Sequence, residues 1–114
     1  MAFAEIELQR IDKFVGGLCS KRTPEKYKNE LRFEYRINVH DVTIYEVRPG
    51  WKSPQESTEM DIAKLKFNRT KNIWKLYWKR ASGKWELYEP SKNHNDLASL
   101  VGEISVDEFG CFFG

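Results

Sequence analysis

A chain of 114 residues suffices for one ordinary domain and is too short for two, since domains commonly run to about 100–150 residues. With 40% hydrophobic and 32% charged residues it falls outside the disordered, collagenous and membrane classes and has the means to bury a core. The formal charge of +2 excludes a strongly basic chain-wide field, so net charge alone names no partner.

From Phe3 to Lys21 the apolar residues Leu8, Ile11, Val15 and Leu18 recur at helical spacing, with Phe14 widening the stripe. This predicts an amphipathic helix. Gly16-Gly17 interrupts it, marking either an early fray or a place where another element comes close. Thr23-Pro24 then ends the pattern. After a polar stretch with Tyr27, the residues Leu31, Phe33, Tyr35, Ile37 and Val39 alternate with Arg32, Glu34, Arg36 and Asn38, the period of a strand. His40-Asp41 reads as a turn, and Val42 to Val47 as a second, β-branched strand stopped by Pro49-Gly50.

Trp51 to Asp61 is polar, contains Pro54 and reads as a connecting loop. A third strand is expected over Ile62 to Asn68, a turn near Arg69 to Asn72, and a fourth strand over Ile73 to Arg80. Ser82-Gly83 is a hairpin signal, and a fifth strand over Trp85 to Glu89 ends at Pro90. Asn95 or Asp96 caps a final helix whose apolar face is Leu97, Leu100, Val101 and Ile104. The expected fold class is α+β: one domain over 1–114, a mainly antiparallel five-stranded meander sheet flanked by an N-terminal and a C-terminal helix.

No stretch approaches the roughly 18 apolar residues of a spanning helix, and Met1-Ala2-Phe3-Ala4-Glu5 lacks a basic start followed by a long apolar run. A cytoplasmic protein without membrane contact is therefore expected. Cys19 and Cys111 lie far apart without CxxC spacing, so neither a disulfide nor a metal site is assigned. No cofactor motif is present, and no Gly-rich phosphate loop, HExxH or GxSxG. Asn68-Arg69-Thr70 fits a glycosylation sequon, which a cytosolic location makes irrelevant.

The most informative feature is a regional charge. Residues 62–84 hold eight bases and no acid, while the remainder holds 11 bases and all 17 acids. On the expected strands Lys64 and Lys66 share one face, as do Lys75, Tyr77 and Lys79, leaving Leu65, Phe67, Trp74, Leu76 and Trp78 for the other. A face bearing lysine and tyrosine meets phosphates by charge and bases by stacking. The same lysines also read as a solvated face that discourages edge-to-edge aggregation.

Three phenylalanines, Phe109, Phe112 and Phe113, crowd the last residues, where chain ends are ordinarily polar. They call either for packing against the fold or for a partner. Cys111 as a nucleophile needs a nearby base or positive field, and sequence does not place His40 or His94 beside it. Asp41 and Glu46, with Arg48, offer a weak match to the carboxylate pair of a strand-based metal nuclease, Glu46 being better suited to a cross-strand base.

Taken together, the opening helix, Ile44-Tyr45-Glu46-Val47-Arg48-Pro49, the Trp74-to-Tyr88 hairpin with Glu89-Pro90, and Gly110-Cys111-Phe112-Phe113-Gly114 resemble an uncharacterised family of small bacterial proteins, a domain of unknown function. The likeness spans nearly the whole chain, and its most specific parts are the E-V-R-P stop and the G-C-F-F-G ending. It implies a bacterial, stand-alone domain and supplies no activity, substrate or catalytic residue. The residues themselves point to a non-enzymatic binding domain that contacts nucleic acid or an acidic protein through Lys64, Lys66, Lys75, Tyr77 and Lys79. The alternatives are a metal-dependent nuclease using Asp41 and Glu46, and a small homodimer joined through an edge strand.

Overall fold

The computed structural model describes residues 3–23, 25–27, 30–50, 56–88 and 96–113. Pro24, residues 51–55 of the expected loop, the Glu89-Pro90 stop, His94, Asn95 and Gly114 lie outside the described residues, as does the Tyr27 side chain.

The N-terminal helical run has three parts: α1 (Glu5–Ile11), a π-helical turn (Asp12–Gly16) and α2 (Gly17–Arg22). The Glu7 carboxylate accepts the Ala4 N–H at 2.7 Å, satisfying one of the donors that a helix start leaves unpaired. Backbone angles stay helical through the π turn. Ile11, Val15, Leu18 and Cys19 face inward. Leu8, expected on the same stripe, is instead exposed, and Phe3 takes the inward place at this end, stacked on Trp74 at 5.7 Å. Of the two readings of the glycine pair, close approach is the one realised. A Cβ on Gly16 would lie 3.3 Å from Cε1 of Tyr35. Thr23 fastens the end of α2 to the sheet, its hydroxyl donating to the Cys19 carbonyl at 2.8 Å and accepting the Phe33 N–H at 2.9 Å.

Five strands follow: β1 (Arg32–Ile37), β2 (Asp41–Pro49), β3 (Ser57–Asn68), β4 (Ile73–Lys79) and β5 (Trp85–Leu87). They pair antiparallel in the order β1-β2-β3-β4-β5, the expected meander. Then α3 (Leu97–Val106) closes the fold, with the Asp96 carboxylate accepting the Ala98 N–H at its start. Ile11, Val15 and Leu18 from the first helices, Leu97, Leu100 and Ile104 from α3, and Val42, Ile44, Leu65, Trp74 and Leu76 from one face of the sheet form one contiguous core. Each aliphatic side chain among them contributes about 1.5–3 kcal/mol on full burial. No described helix is long and apolar enough to cross a membrane.

Three expectations need correction. First, β3 begins at Ser57 and not at Ile62: Ser57 to Asp61 lack alternation, yet β2 extends to Pro49 and presents its backbone, so Pro49 pairs with Ser57 and Val47 with Glu59. The two halves of β3 join at a bulge, since Ile44 opposes Ala63 and Tyr45 opposes Asp61, leaving Ile62 as the extra residue. Second, Asp41 belongs to β2 and not to the turn. Third, Ile37 and Val39, read as part of a half-buried strand, are exposed, because β1 is an edge strand and is regular only to Ile37.

The C-terminal segment packs back onto the fold through one residue. Asp107 caps α3 in the left-handed conformation at φ 50°. Its carboxylate accepts the N–H groups of Phe112 at 3.0 Å and Phe113 at 2.8 Å, which turns the chain inward. Phe112 is buried against Tyr88 with ring centroids 5.1 Å apart, and Phe113 sits edge-on to Phe33 at 5.3 Å beneath the Arg22 guanidinium. Phe109 remains 62% exposed, so the three rings do not share one fate.

Candidate nucleic-acid interface

Alternation along each strand, combined with the register between strands, fixes which side chains share the outer face, opposite the helices and the core. Asp41, Lys66 and Lys75 form one row across β2, β3 and β4, because Asp41 opposes Lys66 and Lys66 opposes Lys75. The next row runs Arg36, Thr43, Lys64, Tyr77 and Leu87 across all five strands. Lys79 stands one step further along β4, opposite Trp85. All five residues singled out from the sequence, Lys64, Lys66, Lys75, Tyr77 and Lys79, therefore lie on one face. The inward partners follow the expected alternation too, with Leu65, Trp74 and Leu76 buried and Phe67 and Trp78 half-buried against the core.

Their electrostatic surroundings differ. Lys79 faces Asp61 at 3.8 Å, a carboxylate it shares with Arg36 at 2.6 Å, so part of its charge is already answered. The Lys64 ammonium lies 4.7 Å over the Trp85 ring and that of Lys66 lies 5.4 Å over Tyr77. Each such contact is worth about 0.5–1 kcal/mol at an exposed site. Among the described residues Lys64, Lys66 and Lys75 make no ion pair. Lys66 and Lys75 are directly opposed like charges, an arrangement that costs a sheet a few tenths to about 1 kcal/mol.

At this end of the sheet the β1–β2 and β3–β4 turns stand side by side and wall a groove of about 830 Å³. Lys66, Lys75 and Tyr77 line it from the strands, Asn38, Val39 and His40 from the first turn, and Asn68, Arg69 and Thr70 from the second, with Asp41 and Phe67 completing it. The walls are built by their own hydrogen bonds. The Asn38 side-chain oxygen accepts the Val39 N–H at 3.0 Å, that of Asn68 accepts the Lys71 N–H at 3.1 Å, and the Phe67 N–H donates to the His40 carbonyl at 2.8 Å. Arg69, one of the eight bases, is drawn off to hold the second turn on α1: its two terminal nitrogens donate to the Glu7 carboxylate at 3.1 and 2.9 Å. That guanidinium, with the Ala4 N–H behind it, holds the Glu7 carboxyl below its ordinary range.

Sequence reasoning missed Asn38, Val39, His40, Asn68 and Thr70 as groove residues. In a meander, alternate turns fall at the same end of the sheet, so the strand order already contained the signal that these two turns are neighbours.

The other candidates separate. Asp41 and Glu46 are an odd number of residues apart on one regular strand and so point to opposite faces. Glu46 is buried, and its partner is not a cross-strand base but Arg48 on the same strand, whose Nε and a terminal nitrogen both donate to one carboxylate oxygen at 2.9 and 2.7 Å. Among the described residues no group of three His, Cys, Asp or Glu is placed to hold a metal ion. Burial pushes the Cys19 thiol up to about 12 and also raises that of Cys111, where Asp107 adds to the effect. Both therefore stay as thiols at neutral pH, the opposite of an activated nucleophile.

The model of the family described as Domain of unknown function (DUF3024) matches residues 3–114, and the chain belongs to that family. No curated protein and no solved structure matches it.

Proposed function

We propose that this DUF3024 protein is a binding domain that takes single-stranded nucleic acid on the outer face of its sheet. The observation that carries the reading is the convergence of Lys64, Lys66 and Lys75, without ion pairs among the described residues, around Tyr77 at the mouth of a groove. Lysines answer phosphates as point charges, and an aromatic ring offers a base a stacking platform worth about 1–3 kcal/mol. The lysines over Tyr77 and Trp85 must swing aside for a base to stack, and each loses a contact of about 0.5–1 kcal/mol and regains charge pairing with the backbone phosphate. Interleaved rings and cations favour nucleic acid over an acidic protein, for which rings are not required.

The test is binding of a fluorescein-labelled oligonucleotide, followed by anisotropy across a salt series. Affinity falls with salt at a log–log slope of about −0.7 per phosphate contact on a single strand. Lys66→Glu and Lys75→Glu weaken binding and flatten the slope, whereas Lys79→Glu does less because Asp61 already answers Lys79. Lys66→Glu, at an exposed position, shifts stability by less than about 0.5 kcal/mol, and urea unfolding of the half-buried Lys75 and Lys79 variants separates a loss of folding from a loss of binding. Absence of binding to RNA and DNA at low salt would refute the proposal.

A further inference from the structure

Resting on that reading, we infer that the groove discriminates ribose from deoxyribose, and that Asp41 is the residue that does so. Asp41 is the one carboxylate among the described residues lining the groove, in a row that continues as Lys66 and Lys75. Among the described residues its side chain takes neither a hydrogen bond nor an ion pair. A carboxylate beside a phosphate-binding pair of lysines repels the backbone it is meant to receive, unless the ligand brings a donor to it.

The neighbouring amides sharpen the point. The side-chain oxygens of Asn38 and Asn68 each already accept one turn N–H, so the ends with their full capacity left for a ligand are the NH₂ groups, which are donors. Lysines are donors as well. Asp41 thus supplies the one anionic acceptor among the described residues of a groove whose other polar groups are cations, amides, hydroxyls and an imidazole. Adjacent strands are about 5 Å apart, so Asp41 stands one strand from Lys66 and two from Lys75, and a phosphate seated between the two lysines lies within one nucleotide of Asp41. A phosphate seated at Lys66 and Lys75 brings the sugar of the same nucleotide toward Asp41. The donor that a ribonucleotide has there and a deoxyribonucleotide lacks is the 2′-hydroxyl.

The experiment compares three labelled probes with one base: oligouridylate, oligodeoxyuridylate and 2′-O-methyl oligouridylate, each against the wild-type chain and Asp41→Ala. The wild type binds the ribo probe roughly tenfold more tightly than the other two, the order of a hydrogen bond to a charged acceptor. Asp41→Ala moves the probes in opposite directions: the ribo probe weakens through loss of the acceptor, the deoxy probe tightens through loss of the repelling charge, and the ratio falls toward one. Asp41→Asn, a neutral acceptor of the same shape, retains part of the preference and serves if the alanine variant melts early. Salt-sensitive binding with equal affinity for ribo and deoxy probes overturns this inference and leaves the proposed function standing, as does a preference that survives Asp41→Ala. Absence of binding to all three probes overturns both.

Discussion

Gly16 and Gly17 are neighbours with near-identical helical backbone angles, yet alanine should act on them in opposite ways. Replacing a helical glycine by alanine ordinarily gains about 0.5–1 kcal/mol, chiefly because alanine loses less backbone freedom on folding. At Gly17 nothing lies within 4 Å of the new methyl, so Gly17→Ala collects the gain and raises Tm by roughly 4 °C. At Gly16 the methyl meets Asp12 Oδ1 at 3.1 Å and Tyr35 Cε1 at 3.3 Å. Those two side chains are joined by a hydrogen bond from the Tyr35 hydroxyl to Asp12 at 2.8 Å, so neither withdraws without straining or breaking it. A lost hydrogen bond of about 1 kcal/mol cancels the alanine gain, and any residual crowding drives the balance negative. Thermal and urea unfolding of the two variants should therefore differ by at least about 1 kcal/mol, with Gly17→Ala above the wild type and Gly16→Ala at or below it. Introducing Asp12→Ala should return much of the gain to Gly16→Ala, because the nearer contact and the hydrogen bond are then both absent. Equal stabilisation by the two alanines would refute the claim that Gly16 is held for the approach of β1.

Phe112→Ala should cost about 3–5 kcal/mol, as for other buried aromatics, while Phe109→Ala should fall within about 0.5 kcal/mol of the wild type; urea titration of both checks this. The Glu7 carboxyl is held below its ordinary value of 4.5 by Arg69, so its contribution to stability is fully present above about that pH and is lost as pH falls through the lower folded value. Glu7→Gln should accordingly show a flatter decline in Tm than the wild type below about pH 5, and parallel curves there would refute the link. Because that ion pair also holds the β3–β4 turn on α1, the same variant should weaken oligonucleotide binding modestly at neutral pH through the groove wall.

Where burial differs between two faces, the sequence was readable: period two marked β1 and β4 and period 3.6 marked α3, with the inward sides of β4 and α3 following, whereas β2, buried on both faces over much of its length, showed itself by its β-branched residues. Ser57 to Asp61 escaped because both faces of that segment are largely exposed, so no alternation marks it, and it is a strand only because β2 offers a partner there. The charge asymmetry of residues 62–84 was legible as a shared face, since strand parity alone assigns Lys64, Lys66, Lys75 and Lys79. What it did not carry was their partners. Arg69 is answered by Glu7, 62 residues away, and Lys79 by Asp61 across the bulge, and both depend on tertiary placement. The tail shows the same limit: three aromatics within five residues announced packing, but which ring goes in is decided by the left-handed turn at Asp107 and the two N–H groups its carboxylate gathers. The groove lay beyond local pattern altogether, being made by two turns that only the sheet order sets side by side.

The central claim is one of location, and amide-resolved NMR of the labelled protein titrated with oligouridylate tests it most directly. The account predicts shift changes concentrated at Lys64, Lys66, Lys75 and Tyr77 and at the turns of Asn38 to His40 and Asn68 to Thr70, fading as salt is raised. Saturable changes confined to α1, α2 and α3, with the outer face of the sheet unmoved, would contradict it.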